Sequence, residues 1–269
     1  MPHRFFWKIY FLILIPVAAS VLIAGIFSFF QAKRTTRIVF LDVGEGNAVL
    51  VQDQGKNILI DGGSDKSILE KLDYFLPFYR RKLDLVVSLS HRTTCLPGLI
   101  EVVKNYPVGK ILDYHSGESN QSDLEKLWLK VAKGKSLEYF NSGRIIYLNQ
   151  NDNLKLLIFS EKKGQKEGVA YVALNNQGFL LTPGIYQKDE KWLMRNFLQP
   201  VNVWQVPRQG VRGSVSQEFL ARIKPMAAII QTGQNRFKKL NWQTIKMLEN
   251  AKIKIQRTDI DGDIVFRLR

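Results

Sequence analysis

A chain of 269 residues that is 45% hydrophobic can bury a sizeable core, which excludes a disordered or low-complexity polypeptide. Its single cysteine, Cys95, excludes a disulfide framework and a cysteine-cluster zinc site, and only His3, His91 and His115 supply imidazole. The formal net charge is +15, of which residues 38–269 carry +10; this favours anionic partners such as nucleic acid, anionic lipid or cell-wall polymer, against the plainer reading of a basic surface that only aids solubility.

The first element is apolar. Ile9 to Phe30, "IYFLILIPVAASVLIAGIFSFF", holds no charge over 22 residues. At about 1.5 Å per residue such a helix matches a hydrocarbon core of about 30 Å. Trp7, Tyr10, Phe29 and Phe30 stand where interfacial aromatics anchor a span. The competing reading is a cleaved signal peptide, with "AAS" or "IAG" as the small-residue site, although the apolar run exceeds a usual signal core. Arg4 and Lys8 on one side and Lys33, Arg34 and Arg37 on the other set no orientation. The expected division is therefore residues 1–37, a cytoplasmic stub, transmembrane anchor and polar linker, followed by one domain over residues 38–269.

Three strand-like runs come next, "IVFLDV", "NAVLVQD" and "KNILID", separated by Gly-rich turns. "SILEKLDYFLPFYRR" has helical spacing that Pro77 ends or bends. "DLVVSL" reads as a buried strand, "PGLIEVVKNY" as a helix and "KILDY" as a strand. "SDLEKLWLKVAKG" reads as a helix capped by Ser122 and closed by Gly134. Strands are then expected at "RIIYLN", "LKLLIFS", "VAYVAL" and "GFLLT", the last two forming a hairpin through Asn-Gln-Gly. The final third alternates again. Helices are expected at "IYQKDEKWLMRNFL", "SVSQEFLARI" and "NWQTIKMLENA", and strands at "VNVWQV", "MAAIIQT", "KIKIQRT" and "DIVFRL". Two halves of this kind predict two mixed sheets packed together and flanked by helices.

Individual polar residues have modest readings. Asp42 and Asp61 sit in tight Gly turns and are expected to cap turn amides. Asp259 and Asp261 in "TDIDGD" resemble part of a calcium loop without its late Glu, so a turn is expected. Trp192 and Trp242 fall on helices and are expected in the core, and His115 on a loop.

"FLDVGEGNAVLVQ", "NILIDGG", "LDLVVSLSH", "FLLTPG", "VPRQG" and "RTDIDGDI", in that order from about Ile38 to Leu268, resemble the metallo-β-lactamase-fold domain of the ComEC type, which accompanies a DNA-uptake channel. The resemblance implies an αββα sandwich (α/β), a bacterial membrane location and a domain facing away from the cytoplasm. It also implies two divalent metals. The family's HxHxDH falls on "HRTTCL", so His91 matches the first histidine while Thr93, Cys95 and Leu96 stand at the next three ligand positions. The bridging aspartate of Thr-Gly-Asp falls on Gly184, after Pro183. Val-Pro-His-His-Gly becomes "VPRQG", with Arg208 and Gln209, and the last histidine falls near Lys239.

A hydrolytic metal needs at least three protein ligands and an open position for water. His91 alone survives of the implied set, so no catalytic residue and no metal cofactor are expected, and the site reads as vestigial. An improvised site from His91, Cys95 and Asp84, and a Cys95–His91 nucleophilic dyad, are the weaker alternatives. Cations stand in several places instead: Arg92, Arg208, Arg212, Arg236, Lys238 and Lys239. Guanidinium groups suit phosphate, so a cleft gripping single-stranded DNA or another polyanion is the sharper expectation, and a decayed, solvated pocket the plainer one. Three functions compete: a non-catalytic binding module, an active phosphodiesterase- or nuclease-like hydrolase with a rebuilt site, and a structural partner of a membrane channel or other competence-type protein.

Overall fold

The computed structural model describes residues 13–26, 36–76, 78–114, 122–140, 144–147, 154–159, 167–197, 199–233 and 240–268. Residues 13–26 form a helix, α1. Among the described residues no helix is long and apolar enough to cross a membrane, and both ends of the expected span, residues 9–12 and 27–30, lie outside them.

From residue 37 on, two seven-stranded sheets stack face to face. In the first, β1 (Arg37–Phe40), β2 (Val49–Asp53) and β3 (Lys56–Ile60) form an antiparallel meander. β4 (Leu83–Ser88), β5 (Val108–Tyr114) and β6 (Leu137–Phe140) continue it parallel to β3. The crossovers between them carry α2 (Ser67–Phe75), α3 (Leu96–Asn105) and α4 (Asp123–Ala132). In the second sheet, β7 (Arg144–Tyr147), β8 (Leu154–Phe159), β9 (Val169–Leu174) and β10 (Gln177–Leu181) are antiparallel. β11 (Val203–Gln205), β12 (Ala227–Ile230) and β13 (Lys254–Arg257) extend it in parallel, linked through α5 (Gln187–Asn196), α6 (Gln217–Ile223) and α7 (Trp242–Asn250). The short α8 (Thr258–Asp261) returns the chain to the first sheet, where β14 (Ile264–Arg267) pairs with β1.

Strand periodicity assigns the faces. Ile38 and Phe40 point between the sheets, onto Phe179 and Ile229, while Val39 and Leu41 point outward beneath α2 and α3. A third cluster packs α5, α6 and α7 on the outer face of the second sheet. The result is the expected two-sheet mixed α/β sandwich with helices on both outer faces.

Local details differ from expectation in places. The β9–β10 hairpin turns through Asn175 and Asn176, not Asn-Gln-Gly, because Gln177 already pairs with Leu174. Both asparagines have positive φ, 46° and 61°, the type I′ geometry whose twist matches the flanking strands. Trp242 is 65% exposed at the start of α7, where its ring lies against the Lys246 ammonium, whereas Trp192 is half-buried on α5. β6 has no counterpart among the expected strands: only its last residue, Phe140, is buried, so its edge position leaves no clean alternation.

The "IDGG" loop after β3 and the first turn of α3 meet backbone to backbone. A Cβ at Gly98 would lie 1.8 Å from the Gly62 carbonyl oxygen, and one at Gly62 would lie 2.3 Å from the Leu99 nitrogen. Gly62 N–H donates to the Cys95 carbonyl at 2.9 Å and Gly98 N–H to the Gly63 carbonyl at 3.1 Å, so neither segment can retreat without losing a buried hydrogen bond. Gly98→Ala is expected to cost about 3 kcal/mol through overpacking. Gly134→Ala, in open space at φ 84°, should cost only about 1 kcal/mol. Urea-denaturation midpoints of the two variants check this; equal losses would show that the close approach does not matter.

Candidate functional site

The ends of β3, β4, β10, β11 and β12 converge at one end of the sandwich, and the loops leaving them build the site. The β4–α3 loop is held by Asn47, whose N–H donates to the Thr94 carbonyl at 3.1 Å, and by Asp61, whose Oδ1 accepts the Leu89 N–H at 2.9 Å. Asp61 thus reaches across to the next strand; only Asp42 caps its own turn, through the Gly44 N–H at 3.3 Å. Asp61 is wholly buried, and burial pushes its carboxyl up to about 8 despite the Leu89 amide, so it is neutral at pH 7. The Cys95 thiol hydrogen-bonds it and is itself pushed well up by burial, then by Asp61 and Glu167. Neither group supplies an anion at neutral pH.

His91 leaves this loop toward α4. Its Nε2 lies 2.8 Å from Asp113 Oδ1 on β5, and its Nδ1 lies 3.0 Å from Glu125 Oε1 on α4. Each partner is fixed in turn. Asp113 is wholly buried and accepts the Trp128 indole N–H at 2.9 Å. Glu125 accepts the Ser122 N–H at 2.7 Å within the α4 capping box. Burial alone would lower the His91 pKa; the hydrogen bond and charge of Asp113, then those of Glu125, outweigh it and raise the pKa. Two carboxylate acceptors on one ring require both nitrogens to donate, the imidazolium form.

The cations gather around Tyr186. Arg92 Nε lies 3.1 Å from Glu167 Oε1, and Arg92 Nη2 donates to the Tyr186 hydroxyl at 3.1 Å. Arg208 sits with its guanidinium 4.1 Å from the centre of the Tyr186 ring, and Lys188 Nζ lies 5.6 Å from it. Arg208 and Gln209 both hold left-handed backbone, φ 52° and 58°, in the tight turn after β11. Glu167 is held by the bridge between Ser90 and Glu167, and burial pushes its carboxyl up to about 7 against Arg92 and Arg208. A Cβ at Gly184 would lie 1.9 Å from Glu167 Oε2, so the Glu167 carboxylate fills the space that a side chain at 184 would occupy.

The expected residues therefore separate. Arg92 and Arg208 come together; Arg212 is exposed on the loop leading to α6. Thr93 is exposed, Leu96 lies in the core at the start of α3, and Gln209 is buried with its Oε1 unpartnered. Arg236, Lys238, Lys239, His3 and His115 lie outside the described residues. The improvised His91–Cys95–Asp84 set does not assemble: Asp84, at the start of β4, binds the Asn57 N–H at 2.9 Å, at the opposite strand end from His91. The Cys95–His91 dyad fails too, because both His91 nitrogens face carboxylates. Asp259 and Asp261 hold Arg257, by an ion pair at 2.6 Å and a backbone N–H bond at 2.8 Å, and lie in the one-turn helix α8 where the sequence suggested a turn.

Asp113, Glu125, Glu167 and Tyr186 are absent from the sequence-based candidates. The Ser122-x-x-Glu125 box is visible in sequence, but nothing local ties it to His91. Glu167 stands alone before a strand and Tyr186 before a helix, which carries no signal by itself.

The two-metal centre that the resemblance implies does not fit these residues. An imidazolium has no free lone pair, Gly184 and Leu96 carry no donor, and the Arg92 guanidinium lies on the Glu167 carboxylate beside the pocket. Among the described residues no group of three or more His, Cys, Asp or Glu side chains is placed to hold a metal ion.

No model of a known protein family matches the chain. Its fold is that of the metallo-β-lactamase-fold protein YhfI from Bacillus subtilis, with a TM-score of 0.60 over 87% of this chain and 100% of that one, at 10% identity. Two curated relatives then narrow the class. The chain is 24% identical over 256 residues to ComE operon protein 3 of Bacillus subtilis, covering 85% of this chain and 32% of the relative. It is 22% identical over 244 residues to Recombination protein 2 of Haemophilus influenzae, covering 87% and 29%. The chain thus has the metallo-β-lactamase fold and is similar in sequence to two ComEC-type proteins, spanning about a third of the length of these relatives.

His91→Ala leaves Asp113 buried and without its cation, and is expected to cost about 3 kcal/mol at pH 6. The raised pKa fixes the sign with pH. The protonated ring's share is complete below the unfolded histidine value of about 6.5 and fades as pH rises through the folded value. The stability gap between wild type and His91→Ala should therefore narrow above about pH 6.5, read from urea midpoints across pH. A constant gap would show that His91 is held neutral.

Proposed function

We propose that this ComEC-like domain is a non-hydrolytic module, held at a bacterial membrane by residues 9–30 with its domain outside the cytoplasm, that grips a phosphodiester backbone during DNA uptake. The observation that carries this reading is the convergence of the Arg92 and Arg208 guanidinium groups on the Tyr186 ring, at the pocket where the resemblance puts metals. In a dinuclear hydrolase the metals hold phosphate and also generate hydroxide. Fixed guanidinium groups can do the first and not the second. Tyr186, 37% exposed, adds an aromatic ring among the cations, and single-stranded nucleic acid is bound by aromatic side chains together with cationic backbone contacts. Arg92 is pinned by Glu167, which leaves Arg208 as the freer phosphate donor. The Glu167 carboxyl, pushed up to about 7, loses charge readily when an anion approaches.

The test is binding of labelled single-stranded DNA to the chain across a salt series. Binding should weaken with salt, and Arg208→Ala should lower affinity about tenfold and reduce the slope of log K against log salt by about 0.7, one phosphate contact on a single strand. Tyr186→Ala should weaken binding with little change in slope. Stoichiometric zinc or manganese retained by the chain, removed by His91→Ala and accompanied by phosphodiester cleavage, would overturn the reading in favour of a rebuilt hydrolase. Absence of both DNA and metal binding would overturn it in favour of a structural partner.

A further inference from the structure

The end of the sandwich opposite the site has a character of its own. Here β1 begins, β2 and β14 end, and β3 and β4 begin. Thr36 fixes the point where the N-terminal segment enters the domain: its carbonyl accepts the Leu268 N–H at 3.0 Å and its hydroxyl donates to Asp53 at 2.6 Å. Arg37 next to it pairs with Arg267 in register, and its guanidinium lies 5.1 Å from the Phe75 ring and donates to the Phe75 carbonyl. That contact brings in the last turn of α2 and the segment leading from it to β4. Tyr74 is 80% exposed and Phe78 81% exposed. The Arg80 guanidinium lies against Gly55 in the β2–β3 turn, and the Lys82 carbonyl accepts from Asn57 at 3.0 Å. Lys82 and Arg267 are exposed, and Lys56 and Arg81 are about half exposed.

Each carboxylate described at this end has a partner: Asp53 is buried with Thr36, the half-exposed Asp73 takes Arg81 and the Tyr106 hydroxyl, and Asp84 takes the Asn57 N–H and the Lys56 ammonium at 3.6 Å. The outward face is cationic, with two aromatic rings set among the charges. A bilayer interface favours aromatic rings at headgroup depth and Lys or Arg beside anionic headgroups. A patch built for a packed protein partner has a desolvated apolar centre instead.

We infer that this end of the domain lies on the membrane and takes anionic lipid headgroups, with Tyr74 and Phe78 entering the interface and Lys82 and Arg267 facing the phosphates. The inference rests on the proposed anchoring by residues 9–30. The length of the tether supports it independently of composition. Phe30, the last residue of the apolar segment, is six residues from Thr36, and six residues reach at most about 20 Å. The domain end that holds Thr36 cannot stand far from the surface. The same geometry carries the Tyr186 pocket away from the bilayer, because β3 and β4 run from one end to the other.

The experiment uses the full chain reconstituted into phosphatidylcholine vesicles with or without phosphatidylserine. A polarity-sensitive fluorophore is placed at Phe78→Cys or, at the site end, Thr93→Cys; Cys95 is buried and wild-type protein measures its background labelling. The expected result is a blue shift at position 78 in phosphatidylserine vesicles, with quenching by a lipid-borne quencher, and no shift at position 93. High salt, or Lys82→Glu with Arg267→Glu, should abolish the shift. Co-flotation of the chain with vesicles while position 78 stays in water would overturn this inference and leave the anchoring intact. Failure to co-float after alkaline extraction would overturn both. A probe at 78 that responds to single-stranded DNA and not to lipid would overturn it and give the face to nucleic acid.

Discussion

A buried chain of amides joins the two sheets, and the site depends on it. Gln205 at the end of β11 donates from Nε2 to Asn47 at 3.1 Å and to Gln231 at 2.6 Å, and Gln231 donates in turn to the Leu41 and Ala48 carbonyls at 3.0 and 2.8 Å. All three amide side chains are nearly inaccessible to solvent. Unmade, each bond would leave a buried polar group at a cost of about 1–3 kcal/mol, so the sheets are held in one relative position and not merely pressed together by apolar area. Because Asn47 also bonds the Thr94 carbonyl and the Gly63 amide, that position is passed on to the "IDGG" loop and to the β4–α3 loop. Gly46, whose Cβ would meet the Thr94 oxygen at 2.0 Å, and the Gly62–Gly98 approach reflect the same closeness.

The electrostatics of the pocket run opposite to those of a metal centre. A metal requires its ligands deprotonated. Here burial pushes the Asp61 and Cys95 groups toward their protonated forms, and Asp113 on β5 and Glu125 on α4 take both nitrogens of His91. The cationic charge comes from Arg92 and Arg208. Glu167 stands against them from the room vacant at Gly184, one carboxylate beside two guanidinium groups, so the side chains around Tyr186 leave a net positive charge. Asp113 and Glu125 matter although they lie on other elements, because they fix His91 as a cation on the β4–α3 loop.

The fold was legible because its evidence is local and repeated. Alternation in β1, the caps of α4 and the glycines of "IDGG" each report their own element, and their order matches the two-sheet architecture. The site was legible only in its backbone. Sequence spacing located the loops that carry His91, Gly184 and Arg208, since loops begin where strands end. It gave no access to Asp113, Glu125 or Glu167, because their roles depend on pairings across the sheet and between loops many residues apart. The hairpin turn misled for a related reason: Gly178 looks like a turn residue, yet it is needed where the Tyr171 hydroxyl and the Pro200 carbonyl press on the strand, within 2.3 Å of an added Cβ. Trp242 misled because helical spacing does not tell the first turn's outer side from its inner one.

The sandwich also has a direction. In both sheets the parallel strands run toward the Tyr186 pocket, so the helices between them run back, and their C-terminal ends gather at the opposite end. Helix C-termini favour cations through their dipoles, and Lys104 on α3 and Lys130 on α4 stand there. Part of the basic character of that end is therefore a property of the topology and would exist without any partner. The dipole accounts for lysines in the last turns; it does not account for Tyr74 and Phe78, whose burial in water-free surroundings would gain free energy that their exposure forgoes. Arg37 and Arg267 also escape it, because they sit on strands, side by side, where like charges repel. A surface that supplies both negative charge and apolar depth, as the inferred lipid interface would, removes both costs together.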